Sequence, residues 1–164
     1  MNQLYSDQEK YILLEVEVPE GVANETRDLA DVTVSYRNMA NSRQEDVTDK
    51  VSISYSASDD EVARSRNRDV VTTATKQVAN EISKQALQLR DEGKREEAQS
   101  LLNSSADFVR AQGAMLGGEE KEQLEAFSAE VESEAEAITL DEEWDKTRKS
   151  IRAKQYRQDT QQNY

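Results

Sequence analysis

The sequence contains no cysteine and no histidine. Without cysteine, the chain has no disulfide bonds, no thiolate zinc sites and no cysteine nucleophile. Without histidine, it lacks the side chain most often used for proton transfer near neutral pH and for binding metals. It also has no glycine-rich phosphate-binding loop and no serine with a plausible base beside it. We therefore expect no catalysis, no bound metal and no cofactor.

Long apolar runs and aromatic residues are also scarce. Aromatic residues make up 5% of the chain, with a single tryptophan. No segment is apolar enough over enough residues to suggest insertion into a membrane. The net charge of −13 disfavours binding to nucleic acid, which is itself anionic. We expect protein partners, no nucleic acid, no membrane insertion and a thin core of alanine and valine. The compartment is unknown, because any targeting segment would precede Met1.

Three segments of the first 57 residues alternate between apolar and polar side chains, which is typical of strands with one buried face. They cover residues 11–18, 29–37 and 47–56, and short links between them predict an antiparallel meander. Three strands need a cover over the apolar face. Either the following helix supplies this cover, or further strands come from a preceding domain or another chain. The apolar positions are Ile12, Leu14, Val16, Val18, Ala30, Val32, Val34, Tyr36, Val51, Ile53 and Tyr55.

Residues 58–116 have the spacing of two long helices that fold back on each other at Gly93. Apolar or small residues recur every three or four positions in both halves, which predicts one stripe on each helix. Gly93 suits the left-handed conformation that ends a helix. We therefore predict an antiparallel helical hairpin. Its stripes are Val71, Ala74, Val78, Ile82, Ala86 and Leu89 in the first helix, and Ala98, Leu101, Leu102, Ser105, Val109, Gln112 and Leu116 in the second.

The start of this region offers three adjacent carboxylates, Asp59, Asp60 and Glu61. Oxygen ligands of this kind bind hard cations. However, no further ligands follow at the spacing of a calcium loop, and acids are favoured in the first turn of a helix. Ser58 and Glu61 have the spacing of a capping box. We therefore interpret the cluster as a helix start.

Two charged helices are predicted after Gly118. Residues 119–138 have apolar positions at helical spacing among many glutamates, and a capping-box spacing from Thr139 begins a fourth helix. Residues 119–145 carry twelve acids and one lysine, whereas residues 146–164 carry six basic residues and one acid. If the fourth helix folds back on the third, its basic residues can pair with Glu125, Glu132 or Glu136. The alternative is a basic surface for an anionic partner. Trp144 either fixes the fourth helix to the core or marks a contact site. The candidate interaction residues are Trp144, Lys146, Arg148, Lys149 and Arg152.

Two segments carry a family resemblance. LYSDQEKYILLEVEVP at residues 4–19 and LADVTVSYR at residues 29–37 resemble the motifs LYxGxExxxLLxxxVP and LAxVxxxYR. These motifs follow the von Willebrand factor type A domain in many bacterial proteins. Helical sequence similar to ALQLRDEG at residues 86–93 comes next in that family. This chain has Asp7 where the family has glycine, which puts the turn there in doubt.

The resemblance implies that the strands complete a β-sandwich whose other strands lie nearer a type A domain. It would make this chain the C-terminal part of a larger protein. The metal-binding Asp-x-Ser-x-Ser motif of that domain is not in this sequence, so no metal role carries over. The segment around Gly93 is also similar to one tetratricopeptide-like helix pair, and a single pair serves mainly for packing.

We therefore predict an α+β fold: a three-stranded antiparallel β-meander, a long α-helical hairpin and one or two further charged helices. The predicted parts are residues 1–57, 58–118, 119–154 and a disordered tail at 155–164. The predicted function is a non-catalytic protein-interaction or scaffold module, with a second copy and a preceding type A domain as partners. The alternative is a small-ligand-binding domain, which would need a concave pocket with convergent polar groups.

Overall fold

The computed structural model describes residues 11–142 and 144–160. In this part of the chain, two strands are followed by five helices, so the fold class is α+β. The described residues form two compact units, one of residues 15–66 and one of the residues from 67 onward together with 11–14. The elements are β1 (Thr26–Asn38), β2 (Arg43–Ser54), α1 (Asp59–Ser65), α2 (Arg68–Asp91), α3 (Arg95–Leu116), α4 (Gly118–Ala137) and α5 (Trp144–Thr160).

The first unit is built around a β-hairpin. β1 and β2 pair antiparallel along their whole length, with Val34 opposite Val47 and Thr33 opposite Thr48. The register shifts between Asp28 and Ala30, which marks a bulge in β1. Both strands were expected from their alternating side chains, and the structure extends them to the tight turn between Asn38 and Arg43.

The first of the three predicted strands, at residues 11–18, is not among the elements of the structure. Residues 11–18 have no secondary structure and are exposed. Their alternating apolar and polar residues suit a strand with one buried face. The alternation does not, however, provide the other elements that would bury that face. With their apolar side chains exposed, the main force that would fix them on the sheet is missing. The three-stranded meander is therefore corrected to a two-stranded sheet in the described residues.

The helical hairpin is present and turns at Gly93, as expected. Gly93 has a φ of 85°, and its N–H and that of Lys94 donate to carbonyl oxygens in the last turn of α2. The first helix, however, is divided in two. α1 ends at Ser65, and the Asn67 side chain accepts a hydrogen bond from the N–H of Val70 to begin α2. An asparagine in this position caps a new helix rather than continuing the old one.

The core of the second unit lies between α2, α3 and α4. α3 buries Ala98, Leu102, Ser105 and Val109, as its stripe predicts. In α2, by contrast, the predicted stripe is mostly at the margin of the core: of its six residues only Ala86 is buried, and Val78 is exposed. α2 packs against α4 and α5 as well as α3, and this turns a more polar face inward. The buried residues of α2 are Thr72, Thr75, Ala79, Asn80, Ser83, Ala86, Leu87 and Arg90.

α4 begins where the sequence predicts. α5 begins at Trp144 rather than at the capping-box spacing from Thr139, whose hydroxyl donates back to the carbonyl oxygen of Glu136. α4 covers Gly118–Ala137 and buries Leu124, Ser128, Val131 and Ala135. α5 continues to Thr160 and buries Gln155, in a segment expected to be a disordered tail. The polar side chains at the end of α5 are held by hydrogen bonds to α2, and a search for apolar periodicity does not detect contacts of this kind. Residues 161–164 lie outside the described part of the chain.

Candidate interaction surfaces

One face of the β-hairpin is apolar and exposed. Residues opposite each other in an antiparallel pair lie on the same face, so Val34 and Val47 mark its centre. They are 55% and 56% exposed, which is high for valines at the middle of a sheet. We call this surface the hairpin apolar face. It consists of Ala30, Val32, Val34 and Tyr36 from β1 and Val47, Val51 and Ile53 from β2.

The other face of the hairpin is polar. Thr33 and Thr48 are hydrogen-bonded across it at 3.2 Å, and the Lys50 ammonium lies 2.9 Å from Asp28. The apolar face also carries two acidic residues of β2, Glu45 and Asp49, which lie opposite Tyr36 and Val32. Glu45 accepts a hydrogen bond from the Tyr36 hydroxyl at 2.6 Å, and this bond raises the pKa of Tyr36. Tyr36 was expected to be a core residue, but its ring is exposed.

The hairpin also has free strand edges. In the described residues the sheet has two strands, so each strand has one edge without a β-partner. Unpaired edges of this length are templates for pairing with another chain. In the sequence before the hairpin, segment 11–18 is exposed too, with Ile12 and Leu14 at 71% and 74%. Apolar contact area and strand-pairing groups are thus available in the same part of the sequence.

The entry into β1 is fixed around Tyr55. The Tyr55 hydroxyl donates to the carbonyl oxygen of Pro19 at 2.6 Å, and its carbonyl accepts from the N–H of Asn24 at 2.8 Å. The Arg27 guanidinium lies 5.3 Å from the centre of the Tyr55 ring. Gly21 passes so close to this ring that a Cβ there would lie 2.4 Å from ring atoms. The hairpin end is therefore ordered although its apolar face is exposed.

A second surface is formed where α2, α4 and α5 meet at Arg90. Its side chain is 7% exposed and donates to the carbonyl oxygen of Ile138 at 2.6 Å and to Asp141 at 2.9 Å. Carbonyl groups at the end of a helix have no partner within it, so Arg90 satisfies one just beyond α4. The Trp144 ring stacks on the Arg90 guanidinium at 4.5 Å. Trp144 is half-buried and packs against the core.

α5 contacts α2 mainly through polar groups. Gln155 donates to the Ser83 hydroxyl at 3.0 Å, and Ser83 donates to Glu134 of α4 at 3.1 Å. Gln158 donates to the carbonyl oxygen of Lys76 at 2.9 Å. Asn80 and Lys84 both donate to Asp159, each at 2.8 Å. We call the residues of α2 and α4 that contact α5 in this way the α5-binding surface: Lys76, Asn80, Ser83, Lys84, Asp91, Glu130 and Glu134.

Opposite charges meet across the α5-binding surface. Arg148 binds the Asp91 carboxylate through two nitrogens, with distances of 2.5–3.1 Å, and Arg152 lies 3.7 Å from the same group. The hydrogen bond from Arg148 lowers the pKa of Asp91. Lys154 lies within 2.9 Å of both Glu130 and Glu134. Burial acts to lower the pKa of Lys154, but these two carboxylates raise it.

The predicted charge pairs between the last two helices differ from those in the structure. Glu132 pairs with Arg110 of α3, and Lys121 lies 3.5 Å from Glu125. Arg148 and Arg152 contact Asp91 at the end of α2 instead. A charge count along the sequence shows that the last two helices are complementary, but not which carboxylates the basic residues contact.

The sequence-predicted interaction residues thus have different surroundings. Trp144 and Arg148 contact the helical unit itself, at Arg90 and Asp91. Lys146 and Lys149 are exposed on α5. Arg90, Ser83 and Gln155 were missed. These three residues are polar, so an apolar stripe does not indicate that they are buried. Polar residues at helical spacing are the feature of the sequence that could have indicated them.

The acid cluster at residues 59–61 forms the first turn of α1, as interpreted from the sequence. Ser58 accepts from the N–H of Glu61 at 3.3 Å. The return bond of a capping box is replaced, because Glu61 accepts from the Ser56 hydroxyl at 2.5 Å instead. Within the described residues, no group of three acids is arranged to hold a metal ion.

A groove of about 300 Å³ runs between α4 and α5. Its lining includes the Ser133, Thr147 and Ser150 residues and the side chains of Lys146 and Lys154. Ligand pockets are mostly apolar and enclose most of the ligand, with volumes of about 300–1,000 Å³. This groove also includes Ala137 and Ile151, so its lining is mixed in polarity. It is open and at the lower limit of that range, and it therefore does not have the enclosed shape of a ligand pocket.

None of the helices in the described ranges has the length and apolar character needed to cross a membrane. The class defined by these features is an α+β chain with an exposed β-hairpin and a polar, charge-rich helical unit. Comparisons with family models, with curated proteins and with solved structures each found no match.

Proposed function

We propose that this chain is a non-catalytic protein-interaction module and that it forms a homodimer through the β-hairpin unit. The observation that carries the proposal is the exposure of the hairpin apolar face, with Val34 and Val47 more than half exposed at its centre. Large exposed apolar surfaces on folded chains commonly mark contact sites.

The energetics of a lone hairpin support this proposal. A two-stranded sheet is marginally stable in water, and it becomes stable when its apolar face is covered. Burying valine-sized side chains contributes about 1.5–3 kcal/mol each. A second copy presents the same face and the same free edges, and a two-fold contact uses one surface twice. Self-association therefore covers the apolar face without requiring another protein.

We propose further that the module is the C-terminal part of a larger type A domain protein and makes contacts with that domain. The motifs at residues 4–19 and 29–37 support this second step. The reading frame before Met1 would then encode the Asp-x-Ser-x-Ser motif, and determining that sequence tests the step. A reading frame without a type A domain contradicts it but leaves the dimer proposal untouched.

Solution mass by light scattering over a concentration series tests the dimer. We expect a dimer for the unmodified chain and a monomer for Val34→Arg, because an arginine at the centre of the apolar face cannot be buried unpaired. Thr33→Arg is the matched control, since it places the same side chain on the opposite face one residue away, and it should remain a dimer. A monomer at every concentration for the unmodified chain contradicts the proposal.

A further inference from the structure

The contacts of α5 differ in kind from those of the other long helices. α3 buries six residues and α4 buries four, and these are mostly apolar or small. α5 buries only Ile151 and Gln155 over its seventeen residues. Apolar burial is the main force that fixes a helix to a core. α5 therefore has the weakest apolar attachment among these three helices.

The contacts that replace apolar burial are specific. Along α5, Arg148, Gln155 and Asp159 each contact a different group of α2, at Asp91, Ser83 and Asn80. Positions 148, 152, 155 and 159 are three or four residues apart and lie on one side of a helix, together with the buried Ile151. The α5-binding surface thus contacts specific side chains at helical spacing along one side of α5.

Charge defines the chemistry of that pattern. The α5-binding surface offers Asp91 near the start of α5, and Glu130 and Glu134 next to its middle. On α5, the basic residues that pair with these carboxylates are Arg148, Arg152 and Lys154. The groove between α4 and α5, next to the Lys154 contacts, shows that the two helices are not tightly packed there.

We propose that the α5-binding surface is a site for a basic helix, and that α5 is its resident, releasable occupant. A helix held by ion pairs and hydrogen bonds is released more easily than the apolar bundle beneath it unfolds. A partner that presents arginine, glutamine and lysine at the spacing of α5 can then take its place. The proposal concerns the helical unit and does not depend on dimerisation through the hairpin.

The only tryptophan in the chain reports directly on this release. Trp144 begins α5, is half-buried and stacks on Arg90. When α5 leaves, its fluorescence emission should shift to longer wavelength. Raising NaCl from 0.1 M to 1 M shortens the screening length from about 10 Å to about 3 Å. We expect the emission shift in 1 M NaCl while the far-ultraviolet circular dichroism keeps most of its helical signal.

Binding in trans tests the site itself. A fluorescein-labelled peptide of residues 145–160 contains no tryptophan and can be followed by anisotropy. Arg148→Glu in the full chain should free the surface, since Asp91 then faces a like charge. We expect this variant to bind the peptide at least about tenfold tighter than the unmodified chain, whose own α5 competes. The control is a peptide of the same composition in scrambled order, which should bind weakly to both proteins.

Two results would overturn the proposal. One is equal binding of the α5 peptide and the scrambled peptide, or equal binding to both proteins. The other is that the helical circular dichroism signal is lost together with the shift in Trp144 emission, both in salt and in Arg148→Glu. α5 would then be an inseparable part of the bundle. If the variant loses its whole helical signal, the same conclusion holds. The salt experiment on the unmodified chain is independent of how the variant folds.

Discussion

Arg90 stacks on Trp144 at a distance of 4.5 Å, although the two residues are 54 positions apart in the sequence. The contact joins the last turn of α2 to the first turn of α5. Arg90 also donates to the carbonyl oxygen of Ile138 just after α4. One side chain therefore holds three helix ends together, and its charge is balanced by Asp141.

Replacing Arg90 should destabilise the helical unit strongly. Hydrogen bonds from charged donors contribute about 1.5–3 kcal/mol, and their loss leaves buried acceptors unpaired. We expect Arg90→Gln to lower the free energy of unfolding by about 2–4 kcal/mol in urea denaturation. Arg95→Gln is the control, because Arg95 contacts the same Asp141 carboxylate at the surface. Its loss should cost less than about 1 kcal/mol. Equal effects of both variants would show that the buried position of Arg90 is unimportant.

The turn at Gly93 should be sensitive to side-chain shape rather than to space. Gly93 has a φ of 85°, and nothing lies within 4 Å of the position that a Cβ would occupy. Backbone strain therefore decides the outcome, and the left-handed conformation costs an ordinary residue about 1–2 kcal/mol. We expect Gly93→Val to lower the melting temperature more than Gly93→Asn, since asparagine tolerates this conformation. Equal melting temperatures for the two variants would contradict this account.

The features that were predictable from the sequence are those with a local cause. β1 and β2 alternate because one face is apolar, and Gly93 ends α2 because it can adopt a positive φ. Both signals lie within the segment that they shape. The strand predicted at residues 11–18 does not form, because these residues have the required alternation but lie exposed without a sheet partner.

The interaction surfaces depend on partners far away in the sequence. Gln155 and Ser83 are 72 residues apart, and neither belongs to an apolar stripe. Arg148 pairs with Asp91 and not with one of the glutamates predicted as its partners, because α5 packs on α2. Thr72 and Thr75 are buried for a similar reason. α2 packs against several helices at once, and its buried face is set by their arrangement.

Two buried serines should respond to alanine in opposite ways. Ser83 accepts from Gln155 and donates to Glu134, whereas the hydroxyl of Ser105 has no hydrogen-bond partner among the described residues. Ser83→Ala leaves the buried Gln155 amide unpaired and should cost about 1–3 kcal/mol. Ser105→Ala removes an unpaired hydroxyl and should be neutral or stabilising by up to about 1 kcal/mol. Chemical denaturation of both variants checks the contrast. A loss of stability in Ser105→Ala would indicate a hydrogen bond that the structure lacks.

The attachment of α5 should weaken in acid. The hydrogen bond from Arg148 holds the pKa of Asp91 below its ordinary value of 3.8. A carboxyl group with a lowered pKa in the folded state stabilises the fold above its unfolded pKa. That contribution is lost as the pH falls through the folded pKa. We therefore expect the Trp144 emission to shift to longer wavelength as the pH is lowered from about 5 to about 2.

Removing either partner of this ion pair should reduce the acid effect. Asp91→Asn and Arg148→Gln are the two matched variants, and each eliminates the same hydrogen-bonded contact. The hydrogen bond from Arg95 also lowers the pKa of Asp141, so part of the pH dependence should persist in both variants. An Asp91→Asn chain with the full pH dependence of the unmodified protein would assign the effect to other carboxylates. The measurement is the Trp144 emission wavelength against pH for all three proteins at fixed ionic strength.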